Sequence, residues 1–187
     1  MVARGNRKRL TALVCGAVFV LAGCDSSTEG AASPEVPAGP TLAAQIPAGF
    51  DPCTDIPQDV LDSEGLRSKN PDKSERSSGA KWVGCLWAQP DGYGVSIRTT
   101  NLTVELVRSK NFADATEFTA GGRPALSTRQ LEHRPEESCH VNVEMKGGSL
   151  EFGLTNPPSR SKSGQTDTCV LARALAEIVA PSIPAGA

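Results

Sequence analysis

Cys139-His140-Val141-Asn142-Val143-Glu144-Met145, then Lys146-Gly147-Gly148, then Ser149-Leu150-Glu151-Phe152-Gly153-Leu154-Thr155 is the stretch whose reading decides the fold. Cys139, Val141, Val143 and Met145 alternate with polar residues, and so do Leu150, Phe152 and Leu154 on the far side of the two glycines. Such a period of two is that of a half-buried strand, so the stretch predicts a hairpin with one apolar face. A turn at Gly147-Gly148 pairs Met145 with Leu150, Val143 with Phe152 and Val141 with Leu154. The same register sets Glu144 opposite Glu151 on the other face, with Lys146 near enough to relieve their repulsion.

Downstream, past Pro157-Pro158, Asp167 or Thr168 caps a helix in which Leu171, Ala174, Leu175 and Ile178 form a stripe, and Pro181 ends it. Upstream, Val83, Cys85 and Trp87, the turn Pro90-Asp91-Gly92, and Tyr93, Val95, Ile97 and Thr99 predict a second hairpin over 82–99. Residues 101–112 fit a strand through Leu102, Val104 and Leu106. They fit a short helix capped by Thr103 better, and Asn101-Leu102-Thr103 matches a glycosylation acceptor by chance length alone. Gly121-Gly122 precedes a strand over 123–130, and residues 131–137 form a charged loop. A helix is expected near Ile56 to Ser63, with Asp55 as cap and Pro57 in the first turn. Residues 65–81, rich in Lys and Arg among Ser, Asn and Gly, read as a solvated surface loop. The fold class is therefore α+β, an antiparallel sheet with flanking helices.

The chain has 187 residues, 39% hydrophobic and 21% charged, an ordinary balance for one globular domain. Arg4, Arg7, Lys8 and Arg9 open the chain, the apolar run Leu10 to Ala22 follows, and Leu21-Ala22-Gly23-Cys24 reads as a lipobox. Residues 1–23 are then a lipoprotein signal peptide. Cys24 is the thiol that receives a diacylglyceryl group and becomes the new N-terminus. Residues 24–47, dominated by Ala, Pro, Gly and Ser, read as a tether, and 48–187 as a single domain. The expected location is the extracytoplasmic face of the cell membrane, held by lipid. A chain that is mildly acidic once its leader is removed offers no basic surface for nucleic acid.

Cys53, Cys85, Cys139 and Cys169 are an even number in an exported domain, and none has the Cys-x-x-Cys spacing of a zinc site. Two disulfides are expected, and no metal or cofactor. Cys53 with Cys85 and Cys139 with Cys169 is the favoured pairing, because each ties a terminal helix to a strand. The crossed link of Cys53 with Cys169, which locks the two helices together, stays open.

The lipobox, the Ser/Pro/Ala tether, Asp51-Pro52-Cys53, Gly84-Cys85-Leu86-Trp87, the Gly122-Arg123 strand start, Cys139 opening a hairpin and Cys169 heading a final Ala/Leu helix together resemble the actinobacterial lipoproteins of the domain of unknown function 3558 family. The resemblance implies an outward-facing anchored domain in a Gram-positive, mycolate-bearing or related host. It brings no catalytic residue with it.

Chemistry has few candidates. His133 lies in a run of charges, and His140 points away from the apolar face of its strand with no triad signature beside it. Glu144 and Glu151 are a carboxylate pair of the kind that does glycoside chemistry or holds calcium, yet on an open sheet face they read as solvated. His140, Glu144 and Glu151 are thus weak polar-site candidates, and no catalytic residue is assigned. The expected role is non-catalytic binding of an envelope lipid, glycan or small solute. The alternatives are a structural protein that positions or regulates a membrane partner and, more remotely, an envelope hydrolase.

Overall fold

A computed structural model describes residues 40–187. The stretch read as signal peptide, Cys24, and the part read as tether as far as Gly39 lie outside the described residues. In chain order the elements are α1 (Pro52–Asp55), α2 (Gln58–Ser63), β1 (Arg67–Glu75), β2 (Lys81–Ala88), β3 (Gly94–Thr100), α3 (Val104–Arg108), β4 (Ala113–Ala120), β5 (Arg123–Arg129), β6 (Ser138–Met145), β7 (Gly148–Thr155) and α4 (Thr168–Val179). The strands make one seven-stranded sheet in the order β1-β2-β3-β7-β6-β5-β4, with every neighbouring pair antiparallel.

One face of this sheet carries the core. Cys85, Trp87, Val95, Ile97, Val141, Val143, Leu150, Phe152 and Leu154 alternate inward as the sequence predicts, and α4 covers them with Ala172, Leu175, Ala176 and Val179. Asp167 caps α4, accepting from the backbone N–H groups of Cys169 and Val170 at 2.9 and 3.1 Å. The buried stripe runs through Cys169, Ala172, Leu175, Ala176 and Val179, rotated from the one expected, so that Ile178 is exposed and Leu171 only partly buried. The rotation has a covalent cause. Cys169 is bonded to Cys139 on β6 with their Cα atoms 5.1 Å apart, which turns that face of the helix to the sheet. The second disulfide joins Cys53 on α1 to Cys85 on β2, so the favoured pairing is the one present.

Three expectations need correction. The helix expected over 56–63 begins only at Gln58, because Ile56 precedes Pro57 and is held extended, and its N-cap is Pro57 with no side-chain cap from Asp55. A separate short helix, α1, precedes it, capped by Asp51, which accepts from the Cys53 N–H at 2.9 Å. Residues 67–75 are strand β1 rather than loop: they pair with β2 along an edge where both side-chain faces stay exposed, so no alternation marks them. Pro71 is tolerated there because an edge strand needs only one side bonded.

The third correction concerns the β6–β7 hairpin. Its turn is Lys146-Gly147, with Gly147 at φ 79°, and Met145 pairs with Gly148, Val143 with Leu150 and Val141 with Phe152. Gly148 serves a close approach instead. A Cβ there would lie 2.0 Å from the Thr100 carbonyl oxygen and 2.7 Å from Pro47 Cγ. A shift of two residues keeps every side chain on its predicted face but separates the carboxylates, since Glu144 now stands opposite Ser149 and Glu151 opposite Asn142.

The last residues of the stretch read as tether lie against the sheet. The Asn101 side-chain amide donates to the carbonyls of Ala43 at 2.9 Å and Gly79 at 3.1 Å, and its oxygen accepts from the Lys81 N–H at 2.8 Å. Asn101 is 1% exposed, so it is a structural joint and not an accessible glycan acceptor. On the face opposite α4, the chain after β3 folds back as predicted: Thr103 caps α3 by accepting from the Leu106 N–H at 3.1 Å. Val104 and Val107 then bury Leu126 in a second, smaller apolar cluster joined by Leu102 and Phe112.

Candidate functional site

The register places one row of residues straight across this second face: Asp72, Gly84, Arg98, Glu151, Asn142, Leu126 and Glu117, one from each strand. Gly84 stands where β2 and β3 approach too closely for a side chain, since a Cβ would meet the Ile97 carbonyl oxygen at 2.1 Å. Beside it Arg98 reaches both ways. Its guanidinium lies 2.6 Å from Glu151 Oε1 and 3.4 Å from Asp72 Oδ2, and Ser96 Oγ donates to the same Asp72 oxygen at 2.6 Å. Trp82, one row over, donates from Nε1 to Glu151 Oε2 at 3.1 Å. Both oxygens of Glu151 are thus engaged, and the side chain is 4% exposed.

This overturns the reading of Glu151 as half of a solvated pair. Burial and an Arg partner hold it in the wall of the sheet, because α3 and its flanking segments cover a face that a two-strand view leaves open. Glu144 does remain exposed, as does His133. His140 is brought near Glu151, with Nδ1 3.9 Å from Oε1, and it lies over Gly153, where a Cβ would sit 3.6 Å from Nδ1. It is not the surface imidazole expected, having a side chain only 20% exposed. Burial lowers its pKa from the ordinary value, the Glu151 carboxylate opposes that fall, and the Arg98 cation adds to it. Among the described residues no hydroxyl or thiol is hydrogen-bonded to the imidazole, and no cluster of three His, Cys, Asp or Glu side chains is placed to hold a metal.

Next to this polar row the same face carries a groove of about 420 Å³, larger than four other depressions of about 300 to 350 Å³. One wall is the β1–β2 end, with Arg76, Ser78, Ala80 and Trp82; the other is the segment after β3, with Leu102, Leu106, Val107, Lys110 and Phe112. Glu151 and Gln130 complete the lining. Arg76 stands over the Trp82 ring, 5.7 Å from its centroid, and Arg98 does so at the same distance. Sequence reasoning missed Trp82 and Arg98 as site residues. The signal was there in their positions, since Trp82 stands next to Val83, and Arg98 between Ile97 and Thr99, out of step with the inward residues of the 82–99 hairpin, so both face away from the core.

No helix among the described residues is long and apolar enough to cross a membrane. No curated protein and no solved structure matches the chain. Residues 19–182 match the family model described as "Protein of unknown function (DUF3558)". That match, spanning both hairpins and the final helix, places the chain in the DUF3558 family.

Proposed function

We propose that this chain is a binding module, anchored by lipid on Cys24 at the extracytoplasmic face of the membrane, that takes a small, largely apolar envelope ligand into the groove between β2 and α3. The lipobox Leu21-Ala22-Gly23-Cys24 supports the anchoring. The groove supports the binding, and it is the observation that carries the reading. Its volume of about 420 Å³ falls within the range of roughly 300–1,000 Å³ common to ligand sites, and its walls are apolar and aromatic with a few polar groups. The buried charge at its edge is already neutralised by Arg98, so an apolar guest meets no bare carboxylate. A docking role favours one contiguous apolar patch, whereas the large apolar side chains exposed among the described residues, Leu86, Leu131, Val170 and Ile178, are spread over β2, the loop after β5 and α4.

The test is native mass spectrometry of the chain purified from its own host, with Ser78→Trp as comparison. Ser78 is an exposed residue of the groove wall, so an indole there obstructs the groove without entering the core. A co-purifying small molecule on the wild type that is absent from Ser78→Trp supports the reading. Retention of the same molecule by both places its site elsewhere.

A further inference from the structure

Resting on the groove as the binding site, we propose that its ligand is a single-chain carboxylate, a long-chain fatty acid whose chain lies along Trp82, Leu106, Val107 and Phe112 and whose head is held by Arg76 and Lys110. The first argument is charge. Arg76 and Lys110 both line the groove, from opposite walls, and neither forms an ion pair among the described residues. Glu151 is the only acid in the lining, and its two oxygens are taken by Arg98 and Trp82. The groove therefore presents two free cations against no free anion, which is complementary to one negative head.

The second argument is size. At roughly 30 Å³ for each water-sized group, 420 Å³ holds about fourteen such groups, enough for one acyl chain and too few for two. A carboxylate suits the cations as well, because a guanidinium takes its two oxygens in a fork while an ammonium adds a point charge. Arg76, though exposed, is also positioned for this, its guanidinium standing 5.7 Å from the centroid of the Trp82 ring.

Binding is measured with the Cys24→Ser chain, stripped of lipid, by the change in tryptophan fluorescence on adding saturated carboxylates from octanoate to palmitate and the alkanols of equal length. Affinity for the carboxylates should rise about fourfold with each added methylene and level off near about fourteen carbons. The matching alkanol should bind at least about tenfold more weakly, and Arg76→Gln with Lys110→Gln should bring the carboxylate down to the alkanol's affinity. Alkanols binding as tightly as carboxylates, or carboxylate affinity untouched by the two substitutions, overturns the assignment of the head while the groove still stands as an apolar site. Failure of every chain length to bind in either form overturns the groove reading itself, and this inference with it.

Discussion

Replacing Glu151 by leucine removes an acid that the hairpin's alternation places on an outer face, yet the cost should be that of breaking a buried pair. The carboxylate is 4% exposed and touches the Arg98 guanidinium at 2.6 Å. Opposite unit charges about 4 Å apart attract by about 4 kcal/mol at an effective dielectric of about 20, and removing one partner of a buried pair costs about 3–5 kcal/mol. Arg98 keeps Asp72 at 3.4 Å, with a quarter of the Asp72 side chain exposed, so Glu151→Leu belongs at the lower end, about 3 kcal/mol. Arg98→Met is worse, about 4 kcal/mol, because it leaves the buried carboxylate with the Trp82 N–H as its one hydrogen-bond donor. The double variant removes both charges and should cost no more than about 2 kcal/mol, the residue of an unpartnered Trp82 N–H and of an Asp72 left with Ser96 Oγ alone. Urea unfolding of the four chains measures the cycle. The two single losses should exceed the double loss by at least about 3 kcal/mol, and additivity within about 0.5 kcal/mol refutes the pair as a buried, coupled unit.

Three further outcomes are expected. Replacing Cys139 and Cys169 together by alanine opens a loop of 30 residues and should cost about 3.6 kcal/mol in the chain-entropy picture; a loss in urea unfolding below about 1 kcal/mol refutes it. His140 is held below its ordinary pKa, so the unfolded chain takes up its proton near pH 6.5 while the folded domain does not. Stability at this residue is complete above that pH, falls on acidification by at most about 1.4 kcal/mol per pH unit, and stops falling below the folded-state pKa. His140→Gln should flatten that part of the profile, and an unchanged pH slope refutes the assignment. Cys24→Ser should release the domain into the medium or leave an unprocessed precursor, whereas an intact mass showing unmodified Cys24 in membrane-bound wild type refutes the lipid anchor.

The inward half of the sheet is legible in the sequence because burial on one face enforces a period of two. Val141, Val143, Leu150, Phe152 and Leu154 all lie where alternation puts them. The hairpin register is not, because Gly147 and Gly148 are equally good turn residues and what decides between them is distant. Gly148 must lack a side chain on account of Thr100 and Pro47, contacts that no local pattern encodes. Strands β1 and β4 escape notice for a different reason: on the sheet's edges their side chains are largely exposed, so hydrophobicity does not alternate along them. The site was half visible. Alternation gives the outward direction of Trp82, Arg98, His140 and Glu151, but that α3, a five-residue helix, packs on Leu126 of the same face is a tertiary fact.

Asn101 has a mechanical consequence. Its amide clasps Ala43 at the end of β3, and β3 lies inside the sheet, flanked by β2 and β7. Tension applied to the chain at residue 40 is therefore delivered first to the end of an interior strand, ahead of the Cys53–Cys85 disulfide, which ties the next segment to β2 and keeps β1, inside its loop, out of the load path. The load spreads into two ladders at once, and the clasp at Asn101 and Ala43 is the link that yields first. A domain loaded in this way gives up a few residues of slack under strain before any strand of its sheet is drawn out.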